Sequence, residues 1–339
     1  MKKTLTALTL VLAGPAFAEG ELNLYNWGNY TSPEMITKFE EETGIKVTVT
    51  DYDSNDTAMA KIKAGGHGFD IVVPSGTYVP IFIQEGLLME SNPNQMENFK
   101  HMDPQWVDVE FDPGRKYSVP WQWGTVGVTV NTSVYGGDIN TAAMVFDPPE
   151  ELKGKINVVP EMNDVMGMAI HFAGGEQCTE DRDTLMKVRD ILAKAKTNWL
   201  SMDYGNIEKF AANDLSAGIN WNGASMRARD KNPDIAFGYP QEGYPVWMDN
   251  AAILADATNV EEAKTFLNFI MDPENAAMLS SFARYANGIK GSEEFMPDDM
   301  KTAPEIVVPE ELKGAAYIAK TCSPAAIKLY TALWTELLK

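Results

Sequence analysis

Tryptophans, tyrosines and carboxylates meet at short loops along this chain: Trp27 with Tyr30, Glu161 with Asp164, then Trp221, then Trp247 with Asp249. An aromatic face and a fixed negative charge together suit an organic ammonium, because the ring quadrupole and the carboxylate both favour a cation stripped of water. These residues read first as the lining of a receptor for a small amine. A bland reading stands beside each: Asp249 as an exposed strand-end acid, Glu161 and Asp164 as helix-start acids, Tyr285 as core, and Ser75 as a turn residue after Pro74.

Enzymatic alternatives find little support. The three histidines, His67, His101 and His171, have no His-x-x-x-His or His-Glu-x-x-His spacing, so a zinc hydrolase has no visible ligands. No Gly-x-Ser-x-Gly elbow, Walker loop or dinucleotide fingerprint is present, and Gly65-Gly66-His67-Gly68 reads as a turn. Glu161 and Asp164 alone are a weak acid-pair signal. Neither a metal nor a cofactor is expected, and the chain is not expected to be an enzyme.

The elements that position these groups alternate. A strand over 22–26 leads to a helix capped by Ser32, with Pro33 first and Gly44 as its stop. A strand over 45–51, a helix capped by Asn55 and running to Ala64, and the apolar run 69–73 continue a βαβ series. Further strands are predicted at 127–131, 156–159 and 246–254. Helices are predicted at 183–196, 260–271, 273–283 and 325–338. The fold class expected is α/β, two βα lobes around a cleft with hinge crossovers: 19–125 plus 248–292, and 126–247 plus 293–339. In such sheets a ligand sits beyond the carboxyl ends of the strands, where Trp27, Ser75, Glu161 and Trp221 all fall.

Lys2 and Lys3, the apolar run 5–13 and Ala16-Phe17-Ala18 read as a secretory signal over 1–18, so the mature chain is expected to be exported. The net charge of −20, or −22 without the two leader lysines, argues against nucleic acid and favours attraction of cations. Cys178 and Cys322 are the only cysteines; an oxidising compartment suggests one disulfide, two separate buried thiols being the alternative.

The segments Asn26-Trp27-Gly28-Asn29-Tyr30, 39–47, Asp70-Ile71-Val72-Val73-Pro74-Ser75, Phe111-Asp112-Pro113, Trp221-Asn222-Gly223 and Trp247-Met248-Asp249 resemble, in order, the bacterial periplasmic spermidine/putrescine-binding proteins. That resemblance implies a monomeric, two-lobed binding protein located in the periplasm that captures a polyamine in its cleft and delivers it to an inner-membrane ABC permease. It implies ligand-binding roles for Trp27, Asn29, Tyr30, Ser75, Glu161, Asp164, Trp221, Trp247, Asp249 and Tyr285. Asn29 stands where spermidine-preferring members often carry glutamate, Thr77 replaces a tyrosine, and Lys320 falls near the place of a glutamine. One lost carboxylate favours putrescine over spermidine. If Lys320 or Arg227 points into the cleft, a zwitterion such as 4-aminobutyrate becomes an alternative ligand. Sensing without transport is an alternative role whatever the ligand, since such a receptor would have the same cleft.

Overall fold

The computed structural model describes residues 20–339; the predicted signal segment 1–18 lies outside them. Ten strands form one continuous mixed sheet: β1 (Glu21–Trp27), β2 (Lys46–Tyr52), β3 (Ile71–Val72), β4 (Ser118–Asn131), β5 (Ile156–Val158), β6 (Trp199–Met202), β7 (Ala217–Trp221), β8 (Ile235–Gly238), β9 (Tyr244–Ile253) and β10 (Ala316–Ile318). The order is β2-β1-β3-β9-β4-β7-β5-β6, with β8 on β4 and β10 on β9. Each end of this path is parallel, β2-β1-β3 on one side and β7-β5-β6 on the other, as buried βα units require.

The two antiparallel strands between them do the joining. Over Ser118–Thr125 β4 pairs with β9, and over Val126–Val130 it pairs with β7, so one strand serves both halves. A bulge at Pro120/Gln122 bends it within the first stretch. Alternation predicted only the second part of β4. The first part, Ser118-Val119-Pro120-Trp121-Gln122, is buried on both faces and carries no polar/apolar period.

Local sequence explains the helices that flank the sheet. Ser32 caps Pro33–Thr43 through its hydroxyl, and Gly44 ends it at φ 74°, a left-handed conformation that glycine reaches without a Cβ penalty. The helix Asn55–Lys63 is capped by Ser54, not by Asn55 as expected. Ser54 has the extended backbone a cap needs and accepts from the Thr57 N–H, which frees the Asn55 side chain for other work. The predicted strand 69–73 contracts to Ile71–Val72, and Val73-Pro74 turns out toward Ser75. Helices Arg182–Lys196, Val260–Ile270, Pro273–Ala283 and Pro324–Leu338 fall within a residue or two of expectation. Apolar side chains from both halves, Leu24, Val72, Phe266, Val128, Ile156 and Val165 among them, join one continuous buried cluster.

Candidate functional site

The carboxyl ends of β1, β3, β5 and β7 converge on a cavity between the two halves, about 1100 Å³ with its open mouth included. β1 delivers Trp27 at its last residue, with Tyr30 after the turn. The loop after β3 delivers Ser75, Glu161 and Asp164 follow β5 at the start of the helix Met162–Phe172, and β7 ends on Trp221. Trp247 and Asp249 stand two residues apart on β9, hence on one face. Tyr285 follows the left-handed residue Arg284 that closes the helix Pro273–Ala283.

Nine of the ten expected site residues line this cavity; Asn29 does not. It sits at φ 58° on the far side of the aromatic wall, where the Arg227 guanidinium donates to both its carbonyl and its side-chain oxygen, each at 2.9 Å. Arg227 is thereby engaged outside the cavity. Lys320, by contrast, lines the cavity from an exposed position, so it lies at the mouth.

The aromatic wall is built ring on ring. Trp247 and Tyr285 meet edge to face with centroids 5.1 Å apart, Tyr30 meets Tyr285 at 5.6 Å, and Tyr204 meets Trp221 at 5.5 Å. Two glycines make room. A Cβ on Gly124 of β4 would lie 2.8 Å from Trp247 and 3.1 Å from Tyr285, and one on Gly223 would lie 2.6 Å from Tyr285 and from a backbone carbonyl.

Three carboxylates are buried in this wall. Asp249 accepts from the Ser75 hydroxyl at 2.8 Å, and Ser75 in turn accepts from the Asn55 amide at 3.1 Å. Burial raises Asp249 to about 7 against the downward pull of the Ser75 bond. Asp164 accepts from the Trp221 indole N–H at 2.9 Å and is likewise raised by burial to about 7. Glu161 is pushed well up, first by burial and then by the charge of Asp164. It occupies the cap position of its helix but makes no capping bond; its carboxylate accepts instead from the Asn55 backbone N–H at 3.3 Å. Each acid thus stays partly short of compensation, which is the condition under which an entering cation gains most. Among the described residues, the only charged side chains in the lining are these three acids and Lys320.

Asn55, Tyr204 and Tyr317 also line the cavity, and sequence reasoning passed over all three. Asn55 was read as a helix cap. Tyr204 follows the short strand β6, which has no clear alternation, and its hydroxyl donates to the Gly28 carbonyl at 2.9 Å. Tyr317 stacks on His171 at 4.2 Å, and its buried hydroxyl has no protein partner. Thr77 lines the cavity while its neighbour Tyr78 turns away to Asp56. The two cysteines are joined, Cα atoms 5.0 Å apart, and both lie in the cavity wall.

A helix-covered sheet whose two halves share strands and enclose a polar, aromatic cavity defines a two-lobed binding protein of the periplasmic type. Residues 34–308 match the family model described as bacterial extracellular solute-binding protein. The chain is 29% identical to the putrescine-binding periplasmic protein PotF of Escherichia coli, over 97% of this chain and 95% of that one. It is 30% identical to spermidine/putrescine-binding periplasmic protein 1 of Haemophilus influenzae, over 86% and 81%. The solved spermidine/putrescine ABC transporter substrate-binding protein PotD of Streptococcus pneumoniae superposes with TM-score 0.77 at 26% identity, over 94% and 99%. The chain belongs to the bacterial extracellular solute-binding proteins, among the periplasmic spermidine/putrescine-binding group. Its relatives are substrate-binding proteins of transporters, and it is not an enzyme.

Proposed function

We propose that this protein captures a short aliphatic diamine in the periplasm and hands it to an inner-membrane ABC permease, with putrescine preferred to spermidine. The observation that carries this reading is the charge pattern of the cavity: three buried acids among aromatic rings, with a single cation at the mouth. The acids pair ammonium ends while the rings cover the methylenes. The preference rests on Lys320 rather than on Asn29. A third ammonium reaching toward the mouth approaches a like charge, whereas a diamine ends within the acidic part.

Capture proceeds by closure of two lobes, 19–125 plus 248–292 and 126–247 plus 293–339, hinged where β4 and β9 pass from one to the other. Four hydrogen-bonded pairs between the halves support this: Tyr204 with Gly28, Arg227 with Asn29, Asn55 with Glu161, and Thr321 with Thr77. A monomer suffices, since one chain supplies the whole lining.

Calorimetric titration of the ligand-free protein with putrescine, cadaverine, spermidine and 4-aminobutyrate tests the reading. Putrescine binding at least tenfold tighter than spermidine supports it; the reverse order refutes the preference, and no amine binding refutes the function. Lys320 in the lining also favours a second reading, a zwitterion whose carboxylate meets that lysine, and tightest binding of 4-aminobutyrate selects it.

A further inference from the structure

A strap, residues 318–323, borders the open mouth of the cavity. Ile318 is 56% exposed, and Lys320, Thr321 and Ser323 are exposed as well. Yet Ile318, Ala319, Lys320 and Cys322 all face the cavity. The strap leaves the end of β10, where Ile318 pairs with Val246 of β9 and the Ala319 N–H donates to the Val246 carbonyl at 2.9 Å; beyond Ala319 its ties run mainly to one loop, 177–180. Gln177 grips it twice, its amide N–H donating to the Ile318 carbonyl at 2.9 Å and its amide oxygen accepting from the Lys320 N–H at 3.2 Å. Ser323 donates to Glu180, and the Cys178–Cys322 bond closes the set. From the other edge Thr321 donates to the Thr77 carbonyl at 2.7 Å, across the cleft.

From this we infer that the Cys178–Cys322 bridge is a determinant of ligand length. The inference rests on the amine-binding reading above. Beyond the β10–β9 ladder, the exposed residues Lys320, Thr321 and Ser323 are held by hydrogen bonds that water competes for, and such a segment opens readily. A covalent tie at Cys322 removes that freedom and keeps the Lys320 backbone, and with it the reach of the ammonium, at the mouth as a stop. A diamine fits behind the stop. A longer polyamine must displace it or place a third ammonium against it, so the bridge sets a penalty that falls on length and not on amine binding as such. The bridge is not among the groups that hold the acids: Asp249, Asp164 and Glu161 are bonded to Ser75, Trp221 and Asn55.

The test is the ratio of putrescine to spermidine affinity in four proteins: wild type and Lys320→Ala with the bridge formed, and the double variant C178S/C322S without and with Lys320→Ala. Removing the bridge and removing the lysine are each expected to shift the ratio toward spermidine by about tenfold, and the combined protein to shift it no further than either, because both changes release the same stop. An unchanged ratio in the bridge-free protein, equal weakening of both ligands, or independent multiplication of the two effects overturns the inference. If the bridge-free protein does not fold, Gln177→Ala loosens the strap with the bond intact; a shift in the same direction of about threefold supports the inference and no shift overturns it. Wild-type protein that binds neither amine sinks the amine reading itself, and the length argument with it.

Discussion

Asp249 is the residue on which binding should depend most. It is buried, its hydroxyl partner Ser75 cannot neutralise it, and two rings, Trp247 and Tyr285, stand beside it. Asp249→Asn should weaken putrescine by about 3 kcal/mol or more, read by calorimetry, since an ammonium in a dry site loses its charged partner. Proton competition follows from the same burial. Asp249 and Asp164 titrate near 7 in the empty protein, so amine affinity should fall as the pH drops below 7 and level off above it. Stability runs the other way. A carboxyl whose folded-state value is raised above its unfolded one favours the fold while protonated, and that contribution is lost as pH rises from the ordinary Asp range through about 7. Thermal scans of the ligand-free protein between pH 5 and pH 8 should show this decline, and Asp249→Asn should make it shallower, Asp164 and Glu161 keeping the rest; an equally steep decline in the variant would assign it to other groups.

Among the elements, β4 carries more than its share. Gly124 sits between strand and rings, and Gly124→Ala should press on Trp247, Tyr285 and the Asn222 side chain, costing about 1–3 kcal/mol of stability and loosening ligand binding, measurable by denaturant melts and titration. Legibility also differs element by element. Pro33 after Ser32, Gly44 at the far end, and the strand-end tryptophans announce themselves, because caps and βα loops have local chemistry. The first half of β4 does not, since burial on both faces erases the alternation that marks a strand. Asn55 was hidden by its own suitability as a cap, which Ser54 supplies one residue earlier. Asn29 carried a family position but not its surroundings: only the fold brings Arg227, 198 residues on, to occupy it. Disulfide pairing was one of two open readings until loop and strap were seen side by side.

Taken as a whole molecule, two halves share a sheet and touch through contacts that involve no ligand. The Arg227 clasp on Asn29 is the most geometric of these, a two-pronged bond outside the cavity. Arg227→Ala should therefore weaken every ligand by the same factor, about tenfold, and leave the order of preference intact, because it acts on the open–closed equilibrium rather than on any one amine. Small-angle scattering should show the wild type contracting on putrescine addition and the variant needing more putrescine for the same contraction. A change in preference order would place Arg227 in the ligand's own surroundings instead.

Four of the chain's eight tryptophans, Trp27, Trp106, Trp221 and Trp247, look into the cavity. The indole N–H of Trp221 is bonded to a carboxylate, and that of Trp247 has no protein partner. An arriving cation changes the field at the first and the surroundings of the second, so the protein is its own optical probe: intrinsic fluorescence follows occupancy without a dye, and the Trp247 and Trp221 indole resonances report the two sides of the site separately.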